Sequence, residues 1–174
     1  MTEVKQVALI IYMQDKTLIG FINNYGERLS DLLNSVSLRR ENRGRFIELR
    51  DVTIQHSDGR EERLKATYIN KASIQMAATI DGDLARGIGG QAGAKYYPFV
   101  DKLSVPVRVQ LPDYTILGNI NCVSWGMVRD TIEEKSMFLP LTQVSVCQSE
   151  NSSWRKLPFA AVNREQIVSL AEQN

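Results

Sequence analysis

Histidine occurs once, as His56, and cysteine twice, as Cys122 and Cys147. Protein metal sites are built from clusters of His, Cys and carboxylates at short spacings, so neither a metal nor a metal-dependent cofactor is expected. The two cysteines sit in no metal-like or redox-like spacing and read as reduced thiols of a cytosolic protein. Long apolar runs are absent as well. No window nears the roughly 18 residues of a membrane span. Met1-Thr-Glu-Val-Lys-Gln lacks the apolar core of a leader, so a cytoplasmic address away from membranes is expected. An excess of one charge is also missing. Lys plus Arg total 21 against 20 for Asp plus Glu, so no global field draws the chain to nucleic acid.

Catalytic constellations are equally scarce. His56 falls at a strand end near Asp58, with no Ser or Cys at a spacing that suggests a nucleophile. Gly87-Ile-Gly-Gly-Gln-Ala92 spells a dinucleotide fingerprint. That chemistry needs a strand before it and a helix after it within a βαβ unit, which this surround does not supply. It reads as a flexible linker, and the chain as a non-enzyme without cofactors.

What is present is a pattern written twice, which must be settled before any other assignment. Asp15-Lys-Thr-Leu-Ile-Gly-Phe-Ile-Asn23 matches Asp113-Tyr-Thr-Ile-Leu-Gly-Asn-Ile-Asn121, and each copy follows a β-branched run, Val7 to Met13 or Val105 to Leu111. Alternation in those runs predicts strands. Gly20 and Gly118, inside the second strands, predict a sharp bend or a close backbone approach. Leu29, Leu32, Leu33 and Val36 fall at helical spacing, and Gly126 to Glu133 is the counterpart. Phe46 to Ile54 and Phe138 to Val146 follow as strands, Pro140 predicting an edge or a bulge. Ser57-Asp58-Gly59 predicts a hairpin turn. Lys65 to Met76 and Pro158 to Ser169 give conflicting signals. Asn163 with Gln166 would cap a helix, whereas the first copy alternates; the pairing of copies favours strands.

The resulting expectation is a mainly β chain, with a minor α component, of two tandem five-stranded small barrels, each with a short helix between its second and third strands. Residues 1–78 form the first lobe, 79–104 a Gly-rich linker and 105–174 the second lobe. Five short strands with a bent second strand ending in Asn, closed by a hairpin through Ile-Asn-Lys, resemble the Sm/LSm-like small barrel. Arg-Leu-Ser-Asp-Leu-Leu-Asn at 28–34 and the later Phe138-Leu-Pro-Leu141 resemble an uncharacterised bacterial domain family that pairs such a helix with a Phe-Ile-Pro-Leu strand. The final hairpins carry Asn70-Lys71 and Asn163-Arg164 in place of the Arg-Gly pair with which RNA-binding Sm members read uridine. The resemblance therefore implies a fold rather than uridine recognition.

Two groups of residues stand out as candidate sites. Arg39, Arg40, Arg43 and Arg45 form the only concentrated charge, in a segment that the second copy lacks. Guanidinium forks suit phosphate or carboxylate, so nucleic acid or a nucleotide is the alternative partner. Ile10, Tyr12, Ile19 and Phe21 stand where the second copy has Arg108, Gln110, Leu117 and Asn119. Apolar residues on an outer sheet face demand cover. That face is expected to be buried, by the linker's Tyr96, Tyr97 and Phe99 or by another subunit. The favoured reading is a non-enzymatic binding or assembly module whose partner is itself or another protein.

Overall fold

Strand β1 (Lys5–Met13) is apolar on both faces, and strand geometry sends successive side chains to opposite sides. Leu9 and Ile11 therefore enter one core while Ile10 and Tyr12 enter another, and all four are buried. This division organises the fold. A computed structural model describes residues 4–24, 27–34, 44–80, 102–123, 126–148 and 152–174.

After β1 come β2 (Lys16–Asn24), helix α1 (Leu29–Leu33), β3 (Phe46–His56), β4 (Glu61–Asn70), a 3-10 turn at Lys71–Ser73, and β5 (Met76–Thr79). The same order returns as β6 (Lys102–Gln110), β7 (Thr115–Val123), helix α2 (Val128–Ile132), β8 (Phe138–Cys147), β9 (Arg155–Asn163), a 3-10 turn at Arg164–Gln166, and β10 (Ser169–Glu172). The protein is thus mainly β. The ten strands of the described residues join one sheet in the order β10-β6-β7-β8-β9-β5-β1-β2-β3-β4. Five strands come from each half, and the halves meet where β5 pairs antiparallel with β9. Expected lobe boundaries at 78 and 105 fall inside β5 and β6, and residues 81–101 of the expected linker lie outside the described residues.

The conflicting segments resolve as strand, 3-10 turn, strand. Asn70 Oδ1 accepts from Ala72 N–H at 3.1 Å and Asn163 Oδ1 from Glu165 N–H at 3.1 Å. An Asn that caps its own turn locally removes the need for a longer helix. Pairing also agrees between halves, since Phe46 opposes Asn70 and Phe138 opposes Asn163. Asp51 (φ 48°) and Gln143 (φ 51°) are left-handed, beside register shifts against β2 and β7. These bulges bend β3 and β8. A Cβ on Gly20 would sit 2.7 Å from Leu49 Cγ and 2.9 Å from the Arg50 carbonyl oxygen, so only glycine fits there. Pro140 is not on an edge strand, because β8 is interior. The register to β7 ends at Asn119–Thr142, and Pro140 pairs only with Ala161 of β9, so its missing N–H costs no bond on the β7 side.

Each face of the central strands carries one core. The first half's core takes in Phe138, Phe159 and Ala161 from the second half. The second half's core takes in Ile10, Tyr12, Met76 and Ala78 from the first. Each half is completed by side chains of the other.

Candidate interaction surface

The joint between the halves is made by strand pairing and by side chains that each half inserts into the other. Met76 to Thr79 run antiparallel to Val162 to Phe159. Phe138, fully buried, inserts beside Leu29, Leu32 and Leu33 of α1. The Asn34 side chain, closing α1, brackets that strand start: Phe138 N–H donates to Oδ1 at 2.7 Å and Nδ2 donates to the Phe138 carbonyl at 3.2 Å. Asn163 donates twice across the joint at the far side. Its N–H donates to the Gln75 carbonyl at 2.9 Å and its Nδ2 to the Ile74 carbonyl at 2.9 Å. Tyr114 Oη donates to the Met13 carbonyl at 3.0 Å, and its ring meets Tyr12 edge-on with centroids 5.1 Å apart. Burial raises the Tyr114 phenol above its ordinary pKa, a shift partly offset by a hydrogen bond with Thr17. Burial also raises the Tyr12 phenol, with Arg155 opposing it.

Cations anchor α1 and α2. Lys71 Nζ donates to the Leu32 carbonyl at 3.1 Å, and burial lowers its pKa. Arg164 donates to the Ile132, Thr131 and Ser136 carbonyls, and burial lowers its pKa too, against the opposing charge of Glu134. Orphan carbonyls at a helix end are satisfied in this way.

Among the described residues the two ends of the sheet lack such a joint, since β4 and β10 each have one neighbour there. Along the β4 end, Phe46 is 52% exposed, Tyr68 71% and Leu64 41%. At the β10 end a groove of about 530 Å³ runs between α2 and the sheet, lined among others by Val105, Cys122, Val128, Ile132 and Leu170. Helix α1 buries three leucines, whereas α2 has no fully buried residue. Val128 and Ile132 remain half-exposed.

Ile10, Tyr12 and Ile19 lie together against the second half's core, so cover for Ile10 and Tyr12 comes from within the chain. Phe21 stays 38% exposed opposite Arg50. Tyr96, Tyr97 and Phe99, the linker residues expected to provide cover, lie outside the described residues, as do Arg39, Arg40 and Arg43. Arg45 is exposed, and its carbonyl accepts from Lys71 N–H at 2.9 Å. His56 meets Glu62 at 3.1 Å in an exposed pair. Among the described residues no three His, Cys, Asp or Glu side chains gather as metal ligands, and no helix is long and apolar enough to cross a membrane.

Residue type alone does not mark Phe138, Asn34 and Asn163 as residues of the joint, or Phe46 and Tyr68 as exposed rings. The available signal was parity. Phe46 and Phe138 are each out of step with the inward residues that follow, Ile47 and Leu49 or Leu139 and Leu141. Comparison with protein-family models, curated proteins and solved structures found no match to this chain.

Proposed function

We propose that this chain is a non-enzymatic assembly module that binds protein through the two ends of its sheet. The observation that carries this reading is the pairing of an open strand edge with apolar surface at each end: Phe46, Leu64 and Tyr68 beside β4, and the α2 groove beside β10. Open edges invite strand addition, in which backbone bonds supply affinity and side-chain pockets supply specificity. Edges are ordinarily blunted with charge; β4 carries it at Glu61 to Lys65 and leaves Ala66 to Ile69, the counterpart of the paired segment of β9, uncharged. The resemblance to Sm-like barrels and a cytoplasmic, bacterial setting belong to the same reading. The alternative, binding of nucleic acid or a nucleotide through Arg39, Arg40, Arg43 and Arg45, has only Arg45 among the described residues.

A photo-crosslinking amino acid placed at Tyr68, in cells that make the protein, tests the reading. A protein adduct at that position is expected. Adducts to nucleic acid alone, or none at all, would refute it.

A further inference from the structure

Resting on that reading, we infer that the protein bound at the open ends is a second copy of this chain, joined head to tail with β10 of one copy against β4 of the next. The argument is the internal joint itself. Pairings within the two halves correspond residue by residue: Tyr12 opposes Met76 as Gln110 opposes Ser169, and Phe46 opposes Asn70 as Phe138 opposes Asn163. Strand β10 is thus the counterpart of β5, and β4 the counterpart of β9. Because β5 pairs with β9 inside the chain, the edges left unpaired among the described residues are the two halves of a joint this chain already makes. Copying the register sets Ser169, Leu170, Ala171 and Glu172 opposite Ile69, Tyr68, Thr67 and Ala66 of the neighbour.

Side chains agree with that register. Phe46 takes the place of Phe138 and enters the α2 groove, between Val128 and Ile132 where Phe138 meets Leu29 and Leu33. Where the internal joint packs Phe159 with the small pair Ala77 and Ala161, the copied joint has Ala66 with Leu170 and Tyr68. The large ring is lost at one site and large side chains are gained at the neighbouring one, the exchange that keeps a core filled. Asn70 already uses its Oδ1 to cap its turn as Asn163 does. Its side-chain nitrogen is left to reach the Ile167 carbonyl of the neighbour, as Asn163 reaches Ile74. In the copied register Glu172, set opposite Ala66, falls beside Lys65 of the neighbour, and both are exposed; Glu133 is already paired with Arg129 at 3.0 Å.

Not every element of the joint is copied. At the α2 C-cap Glu133 stands where Asn34 closes α1, so a carboxylate with no hydrogen to donate to the Phe46 carbonyl replaces the amide that bonds the Phe138 carbonyl. Arg108 and Gln110 replace Ile10 and Tyr12, so the face opposite the groove is polar between chains and apolar within the chain. The joint between chains is therefore the weaker and reversible one. A head-to-tail contact closes into a ring or continues as a filament, according to the rotation per copy.

The test uses full-length chains blocked at one end each, Phe46→Glu for the β4 end and Ile132→Glu for the groove, with sedimentation velocity as the readout. Wild type is expected to exceed the mass of one chain. Each variant alone is expected to be monomeric, weakened by about 100-fold or more, as for loss of a buried aromatic anchor. An equimolar mixture is expected to form a capped 1:1 dimer, because each variant retains one intact and complementary end. Should Ile132→Glu not fold, Val128→Asp serves for the groove and Tyr68→Glu provides a second block at the β4 end. A wild type that stays monomeric at about 100 μM, or a single-blocked variant that dimerises with itself, overturns the proposal. In the Tyr68 crosslinking experiment, an adduct to a different protein overturns self-assembly while leaving the assembly reading standing.

Discussion

Phe138→Ala removes the ring that the second half contributes to the core of the first. Phe138 is fully buried among Leu29, Leu32, Leu33 and their neighbours. A buried phenylalanine removes roughly 150–200 Å² from water. At about 25 cal/mol per Å² that corresponds to about 4 kcal/mol, within the ~3–5 kcal/mol seen for Phe→Ala in cores. The Asn34 bonds reach the Phe138 backbone and survive the substitution, so the loss isolates the ring. Phe46→Ala is the matched control, because Phe46 occupies the same place in β3 and is half exposed. Its cost should stay below about 1 kcal/mol in a chain diluted to the monomer. Urea unfolding at low and high protein concentration separates the two, since only contacts between chains make stability depend on concentration. Phe138→Ala should lower the midpoint at every concentration, and Phe46→Ala only at the higher one. A Phe138→Ala cost under about 1 kcal/mol, or equal costs for both variants in dilute solution, would refute the assignment of these two rings.

Further outcomes follow from single contacts. Gly20→Ala should cost about 1–3 kcal/mol by overpacking against Leu49 and the Arg50 carbonyl; Gly118→Ala should cost less, since its Cβ would come no nearer than 3.3 Å to Val144, and paired thermal melts check the order. Asn163→Ala should cost about 1–3 kcal/mol, because it strips the buried Ile74 carbonyl of a donor, whereas Asn70→Ala in the monomer should cost less, again by urea unfolding. Tyr114→Phe should cost about 1 kcal/mol near neutral pH through loss of the bond to the Met13 carbonyl. The Tyr114 phenol has its pKa raised in the folded state, so its contribution is whole below the unfolded value near 10.0 and is lost as pH rises through the folded one. Stability curves of wild type and Tyr114→Phe should therefore converge above that pH; a constant gap would contradict the burial argument.

Much of the strand order was legible because it rests on local chemistry. Alternating Val7 to Met13 and Val105 to Leu111 gave strands, and Ser57-Asp58-Gly59 gave a turn whose Gly59 has φ 90°. Gly20 announced a close approach that the Leu49 contact explains. The helical signal at Asn163 misled only in isolation. Its side chain caps a single 3-10 turn, and the next residues are drawn into β10 by pairing with β6. The apolar face of Ile10 and Tyr12 was visible as a face needing cover, but what covers it was not. The cover is Leu139, Leu141, Ala160 and Val162, more than a hundred residues away in sequence.

By itself, then, the sequence determined where strands begin, bend and turn, because period, Gly, Asn and Pro act over a few neighbouring residues. Only the tertiary structure decided which edges meet. Backbone donors and acceptors are the same in every strand, so β5 could have paired with any exposed edge. The choice of β9 comes from Phe138 under α1, the Asn34 and Asn163 clamps, and the two cores that each half completes for the other.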